Sequence, residues 1–112
     1  MKQKNNNSIF KMLTTSMLSE LTGDQKMELL NKYLTKEVVA VFEDKELISS
    51  INAFFVNNLN VSETSRNAFM HRNTLLYRID KIHKLTKFNV RNFEDAVALK
   101  LLELIYKDVY KK

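Results

Sequence analysis

Cysteine and proline are absent from this chain of 112 residues, and glycine occurs once, at Gly23. Without cysteine the chain can form no disulfide, thiol nucleophile or cysteine-based zinc site, which fits a reducing cytoplasm. The scarcity of glycine disfavours all-β sandwiches and glycine-rich phosphate loops, because both need residues free of the Cβ penalty. The longest apolar run is five residues, 38–42, which is too short to span a membrane. The amino terminus lacks the apolar core of a signal peptide.

Positive charge is concentrated in the second half of an otherwise ordinary globular composition, which is 45% hydrophobic and 28% charged. Residues 1–60 contain 7 Lys/Arg and 7 Asp/Glu, whereas residues 61–112 contain 11 and 6, so the whole net charge of +5 lies in the second half. Most of that excess lies in residues 62–91. A basic segment of this kind indicates a polyanionic partner, although charge alone also allows a solvated surface.

Hydrophobic periodicity predicts an all-α fold, a multi-helix bundle that contains a helix-turn-helix. The predicted helices cover residues 9–21, 23–34, 45–58, 61–68, 72–86 and 93–110. Their start signals are the capping pairs Thr22 with Gln25, Asn60 with Glu63 and Asn92 with Asp95, and the single cap Asp44. The apolar run 38–42 is ambiguous, and we expect helical continuation or a packed linker there. Asn57, Asn58 and Asn89 are expected at helix ends, since asparagine tolerates left-handed backbone.

Two of these helices, joined by a three-residue break at 69–71, have the outline of a helix-turn-helix. On a helical wheel of residues 72–86 one face carries Leu75, Ile79, Ile82 and Thr86. The other face carries Asn73, Tyr77, Lys81 and Lys84, flanked by Thr74. A helix with one core face and one face of donors fits the major groove of DNA.

The start of this basic helix also has local signals. His71 is predicted to be its N-cap, with Met70 and Leu75 forming a hydrophobic staple. Arg72 lies toward the core side by wheel angle, but in the first turn its long side chain can swing forward into a groove. A half-buried core position is an alternative for Tyr77, and solvated surface is an alternative for the lysines.

The segment NVSETSRNAFMHRNTLLYRI, residues 60–79, closely resembles the C-terminal helix-turn-helix of the PucR/sugar-diacid-regulator family of bacterial transcription factors. The elements HRNTL (71–75) and YR (77–78) carry the resemblance, which extends more loosely from Glu46 to Leu104. A more distant similarity is to the DNA-binding end of the nucleoid protein Fis. The resemblance implies a recognition helix that enters the major groove, and it implies DNA contacts by His71, Arg72, Asn73, Thr74 and Tyr77. Ser62, Thr64 and Arg66 are expected to anchor phosphates near the preceding helix, with Lys81 and Lys84 on the basic face.

The chain departs from the family pattern at three positions. Lys87 stands where the family usually has glycine, so either this helix end is not left-handed or Lys87 adopts the strained conformation. Ser65 and Ala68 replace the usual alanine and leucine, which predicts altered packing between the two helices.

For Arg78 we expect a structural ion pair with Glu94 or Asp95 of the last helix, with direct DNA contact as the alternative.

From these observations we divide the chain into an amino-terminal tail (1–8), amino-terminal helices (9–44) and a PucR-type DNA-binding domain (45–112). We expect a cytoplasmic, nucleoid-associated, sequence-specific transcriptional regulator, or its DNA-binding fragment, that binds double-stranded DNA. No catalytic arrangement, cofactor, metal site, small-molecule ligand or membrane contact is expected. The alternative function is a helical protein–protein interaction module with a basic docking face. Single-strand or RNA binding is a second alternative, but the basic segment offers mainly Tyr77 for base stacking.

The last predicted helix is apolar over a wide arc. One stripe comprises Phe93, Val97, Leu101, Leu104 and Ile105, a second comprises Leu99, Leu102, Tyr106 and Tyr110, and Lys100, Glu103 and Lys107 form the polar remainder. A single core needs only one stripe. We therefore expect the second stripe to pack on the amino-terminal helices or on another protomer, and a homodimer would match a palindromic operator.

Overall fold

The computed structural model describes residues 8–111, and within that range it contains seven α-helices and no strand. The helices are α1 (Ile9–Glu20), α2 (Gly23–Tyr33), α3 (Lys36–Glu43), α4 (Lys45–Val56), α5 (Val61–Asn67), α6 (Arg72–Thr86) and α7 (Phe93–Tyr110). The predicted all-α fold is confirmed, and the six predicted helices end within two residues of their expected limits. Between residues 8 and 111 no helix is both long enough and apolar enough to cross a membrane.

The predicted start signals form the expected hydrogen bonds. The Thr22 hydroxyl accepts from the Gln25 backbone N–H at 3.1 Å, and the Gln25 side chain accepts from the Thr22 N–H at 2.9 Å. This reciprocal pair is the predicted capping box of α2. Asp44 caps α4, and the same role is filled by Asn60 for α5 and by Asn92 for α7. Each cap satisfies backbone donors that a helix start leaves unpaired.

The amino-terminal tail was predicted to include residue 8, but Ser8 is the N-cap of α1. Its hydroxyl accepts from the Lys11 backbone N–H at 3.1 Å. Residues 1–7, the rest of the predicted tail, lie outside the described residues.

The ambiguous run 38–42 forms a separate helix, α3, rather than a continuation of α2 or a linker. Thr35 makes the difference, because its hydroxyl accepts from the Val38 backbone N–H at 3.1 Å and starts a new helix. Val38 and Val41 then lie fully buried. Burial therefore outweighs the modest helix propensity of β-branched residues.

The described chain divides into two compact units, and their limits differ from the predicted domains. One unit comprises residues 34–100 and the other comprises residues 8–33 with 101–111. The division differs from the predicted boundary at residue 44, because α3 packs against α4 and α6 and is grouped with the helix-turn-helix. The predicted domain also extended to residue 112, whereas the carboxy-terminal half of α7 belongs to the unit of α1 and α2.

The last helix uses its wide apolar arc differently from the prediction. Phe93, the first member of the first stripe, is 70% exposed, whereas Leu99, Leu102 and Tyr106 of the second stripe are buried. Glu103, expected on the polar remainder, is buried as well. The buried residues of the second stripe occur in both compact units, Leu99 in the unit of residues 34–100 and Leu102 and Tyr106 in the other.

The unit of residues 8–33 and 101–111 joins α1, α2 and the end of α7. Lys26 of α2 forms an ion pair with Asp108 of α7. Part of the first stripe of α7, namely Leu101, Leu104 and Ile105, lines an apolar cavity together with residues of α1 and α2. Part of the arc thus packs toward the amino-terminal helices, as one of the two predicted alternatives required. The second stripe takes part as well as the first, because the Tyr110 hydroxyl donates to the Met27 sulfur of α2 at 3.7 Å.

Candidate nucleic-acid interface

Helices α5 and α6 are separated by a short turn that is set by the way α5 ends. The backbone N–H of Met70 donates to the Ser65 carbonyl at 3.0 Å, and the N–H of Phe69 donates to the Arg66 carbonyl at 3.4 Å. Phe69 has a φ of 53°, so it occupies the left-handed position of a Schellman-type helix end, where glycine is usual. The chain direction therefore changes within residues 68–71, and α6 starts immediately afterwards.

One face of α6 holds the helix in its unit. Leu75, Ile79, Ile82 and Thr86 are all buried, and Leu75 and Ile82 are fully so. This is the core face that the helical wheel predicted. The Thr86 hydroxyl donates to the Ile82 carbonyl at 2.7 Å, so its polar group is satisfied within the helix. The orientation of α6 about its axis is thereby determined by packing.

The start of α6 is organised by His71 and Arg72. The Nδ1 atom of His71 accepts from the Asn73 backbone N–H at 3.1 Å, which confirms the predicted N-cap. The Arg72 guanidinium donates to the Ser62 hydroxyl at 3.0 Å, so the first turns of α5 and α6 are directly linked. His71, Arg72 and Ser62 are all exposed. This end of the helix-turn-helix therefore presents ordered donors to solvent.

The face of α6 opposite its buried side is polar and accessible. Asn73, Tyr77, Lys81 and Lys84 are exposed, and Thr74 beside them is half-buried. The Tyr77 side chain remains 64% exposed, so it is not the half-buried core residue considered as an alternative. Lys84 forms an i,i+4 ion pair with Asp80 at 3.1 Å. The structure thus brings five of the predicted site residues together on one side of one helix.

The residues expected to anchor phosphates from α5 differ in accessibility. Thr64 is fully buried, and its hydroxyl donates to the Asn60 carbonyl at 2.7 Å. A hydroxyl in that position cannot reach a phosphate, so the predicted phosphate contact of Thr64 is not compatible with the structure. Arg66 is exposed and pairs with Glu63 at 3.0 Å in the same helix. Ser62 and Arg66 therefore remain accessible to an anion, and Thr64 does not.

Arg78 has a structural role, but with partners other than those expected. Its Nη1 atom donates to the Ser50 hydroxyl at 3.0 Å, and its Nη2 atom lies 3.7 Å from the Glu46 carboxylate. Both partners belong to α4, which packs against α6, whereas the prediction named Glu94 or Asp95 of α7. Asp95 instead accepts from the Asn89 backbone N–H at 3.0 Å. Arg78 thus joins α6 to α4 and lies away from the exposed face.

Lys87 adopts the strained conformation that the sequence left as one of two alternatives. Its φ is 71° and its ψ is 0°, and its backbone N–H donates to the His83 carbonyl at 2.8 Å. The end of α6 is therefore left-handed despite the absence of glycine. This conformation costs a residue with a Cβ about 1–2 kcal/mol.

The structure also reveals one candidate that sequence reasoning missed. Phe69 is 96% exposed, so its ring makes almost no contact with the rest of the chain. It stands two residues before the N-cap of α6, and three Cα–Cα steps place it at most about 11 Å from Arg72. The sequence marked residues 69–71 as a break in the pattern, but nothing in it showed that the aromatic ring faces solvent.

Comparison with known proteins agrees with this geometry. The family model for the PucR C-terminal helix-turn-helix domain matches residues 47–103. The carbohydrate diacid regulator of Escherichia coli (strain K12) is 32% identical over 84 residues, which cover 74% of this chain and 21% of that protein. The purine catabolism regulatory protein of Bacillus subtilis (strain 168) is 29% identical over 59 residues, or 53% of this chain and 11% of that protein.

A third relative, the uncharacterized protein YxkF of Bacillus subtilis (strain 168), is 34% identical over 89 residues, or 79% of this chain and 29% of that protein. The chain therefore spans less than a third of the length of each of these relatives. No solved structure matches the chain significantly.

Proposed function

The chain belongs to the PucR C-terminal helix-turn-helix family of transcription regulators, and from this premise we propose that it binds double-stranded DNA sequence-specifically by inserting α6 into the major groove. The observation that carries the proposal is the division of α6 into a buried apolar face and an exposed face of donors. A helix anchored in this way can approach base edges without losing its packing. The major groove is about 12 Å wide and accommodates one α-helix.

The residues at the start of α6 are proposed to read bases. In helix-turn-helix proteins the amino-terminal residues of the second helix contact base edges. Arg72 offers two parallel donors that suit guanine, and Asn73 offers the donor and acceptor that suit adenine. His71, Thr74 and Tyr77 complete this base-reading surface. Phe69, exposed beside it, adds an apolar group of the kind that contacts a thymine methyl.

A second set of side chains is proposed to bind phosphates and so position the helix. Lys81 and Lys84 lie further along the exposed face of α6, and Ser62 and Arg66 are accessible on α5. Phosphate contacts determine register and affinity but carry little sequence information. Arg66 and Lys84 have carboxylate partners on the surface, and exposed pairs of this kind are worth at most about 1 kcal/mol. They can therefore be exchanged for phosphate contacts.

Salt dependence tests whether the partner is a nucleic acid at all. If four to six basic side chains of each protomer neutralise phosphates, log K against log [salt] should have a slope of about −4 to −5 per protomer. Selection of bound duplexes from a random pool should then yield a defined sequence. A slope near zero would instead support a protein-docking role for the basic face. Enrichment of no sequence would contradict base-specific reading.

A matched pair of lysines sharpens the test. Lys84 forms an i,i+4 ion pair with Asp80 on the proposed interface. Lys32 of α2 forms an ion pair of the same spacing with Glu28. Lys84→Ala should weaken binding to all duplexes about equally and flatten the salt slope by about one. Lys32→Ala removes the same charge from a similar surface pair outside the helix-turn-helix, and it should leave the slope unchanged. Equal effects of the two substitutions would mean that only net charge matters.

We also propose that the chain acts as a homodimer on a pseudo-palindromic site. Helix-turn-helix dimers bind half-sites that are about 34 Å apart, one turn of DNA, and the half-sites are inverted because the protein two-fold axis matches that of the operator. The selected duplexes should then contain inverted repeats at that spacing. A selected site with a single unrepeated element would contradict the dimer proposal without affecting the DNA-binding proposal.

A further inference from the structure

Helix α1 leaves several large apolar side chains exposed to solvent. Its one buried side chain is polar, Thr14, whose hydroxyl donates to the Phe10 carbonyl at 2.8 Å. Most of its other side chains are exposed, and they include large apolar ones: Ile9 is 75% exposed, Leu13 56% and Met17 50%. These three residues follow one another at i, i+4 and i+8 and so lie along one face of the helix. Helices in folded domains ordinarily turn such a face inward.

We call Ile9, Met12, Leu13 and Met17 the outer stripe of α1. With half or more of each side chain exposed, the stripe and the adjoining Phe10 present roughly 500 Å² of mostly apolar surface, at the upper range of what monomers leave uncovered. Two copies of such a surface bury about 1,000 Å², the lower limit for a specific protein–protein interface. The area is therefore sufficient for self-association.

An apolar cavity of about 220 Å³ adjoins the outer stripe within the same compact unit. Met17 belongs to both, and the remaining lining comes from α1 and its C-cap Leu21, from Leu29 of α2 and from α7. A cavity of about 150 Å³ accommodates benzene, so this one can accept one leucine or phenylalanine side chain. The surface thus has both apolar projections and a recess that can receive one.

The charges near the stripe favour a protein partner over a lipid surface. Lys11 and Glu20 are the charged residues of α1, one of each sign. Helices that bind anionic membranes carry several lysines or arginines on the polar face, and α1 does not. A neutral, self-complementary surface with projections and a recess suits a two-fold contact, in which the same residues are used by both copies.

We propose that the outer stripe of α1 is the surface on which a second copy of this chain docks, with an apolar side chain of each copy entering the cavity of the other. Leu13, in the middle of the stripe, lies next to the two-fold axis. The proposal supplies an interface for the homodimer proposed above, and it is independent of which residues contact DNA.

Sedimentation equilibrium of the full chain, between about 1 and 200 μM, tests the proposal against a matched control. The chain should dimerise, and Leu13→Glu should raise the dimer dissociation constant at least about 30-fold, the effect of losing a central contact. Thr15→Glu places the same charge on an exposed position about 160° from Leu13 around the helix, and it should change the constant less than about threefold. A wild-type chain that stays monomeric overturns the proposal, as does a Leu13→Glu variant that dimerises normally.

Cross-linking provides a second readout that does not depend on introducing a charge. Because the chain contains no cysteine, Leu13→Cys introduces a single thiol. Two such thiols across the axis should form a disulfide-linked dimer on mild oxidation at low micromolar concentration, whereas Thr15→Cys should not. Equal cross-linking of the two variants overturns the proposal. Neither readout involves DNA, so a failure here leaves the DNA-binding proposal standing, and a failure to bind DNA leaves the dimer interface standing.

Discussion

Leu75 and Asn73 lie two residues apart in α6, yet their replacement by alanine should affect different properties. Leu75 is fully buried, so Leu75→Ala removes most of a side chain from a packed core and leaves a cavity. Such substitutions cost about 2–5 kcal/mol. In a chain of this size each kcal/mol lowers the melting temperature by several degrees, so we expect a decrease of about 10–25 °C.

Asn73 is exposed, and the hydrogen bond at this position is made by its backbone N–H, which alanine also has. Asn73→Ala should therefore lie within about 0.5 kcal/mol of the wild type in stability. Binding to the selected duplex should weaken by about 1–3 kcal/mol, the discrimination carried by one bidentate base contact, and one base position should become less specific.

Thermal unfolding followed by circular dichroism, together with binding titrations on the selected duplex and on a mixed-sequence duplex, measures both effects. Arg72→Ala is a useful companion, since it should weaken specific binding while breaking the exposed hydrogen bond to Ser62. If Asn73→Ala unfolded the chain, or left sequence preference intact, the orientation assigned to α6 would be wrong. The base-reading role of residues 71–77 would then be refuted with it.

Other substitutions distinguish the effects of backbone strain from those of side-chain contacts. Lys87→Gly removes a Cβ from a left-handed position and should raise stability by up to about 1 kcal/mol with a small effect on DNA binding, as measured by thermal unfolding and titration. Phe69→Gly relieves the same strain, so stability should not fall, but specific binding should weaken severalfold; unchanged binding would remove Phe69 from the interface. Among the described residues, Ser65 has a buried hydroxyl without a hydrogen-bond partner, so Ser65→Ala should be neutral or stabilising by about 1 kcal/mol in denaturant titration. Arg78→Met should cost about 1–3 kcal/mol by the same measurement, because α6 loses its polar link to α4; an unchanged midpoint would contradict that structural role.

The sequence by itself determined most of the local structure of this protein. Helix starts depend on hydrogen bonds between residues three apart, as between Thr22 and Gln25, so a short window contains both partners. The identity of the buried face of α6 follows from the same kind of local information. Leu75, Ile79 and Ile82 recur at the helical period, and these three and Thr86, the four residues predicted to be buried, are all buried. The resemblance to the PucR family is local in the same sense, because the short segment 71–78 carries it.

The tertiary structure decided what depends on distant parts of the chain. Arg78 bonds to Ser50, 28 residues earlier, and the burial of Thr64 depends on how α5 packs against α4 and α6. Phe69 has a left-handed backbone, and whether its ring packs inward or faces solvent is likewise determined by the packing around the turn. The division of α7 between two compact units follows from which helices reach each half of it. Hydrogen-bond partners and burial are properties of packed surfaces, and periodicity within one helix specifies which face is apolar but not which neighbour covers it.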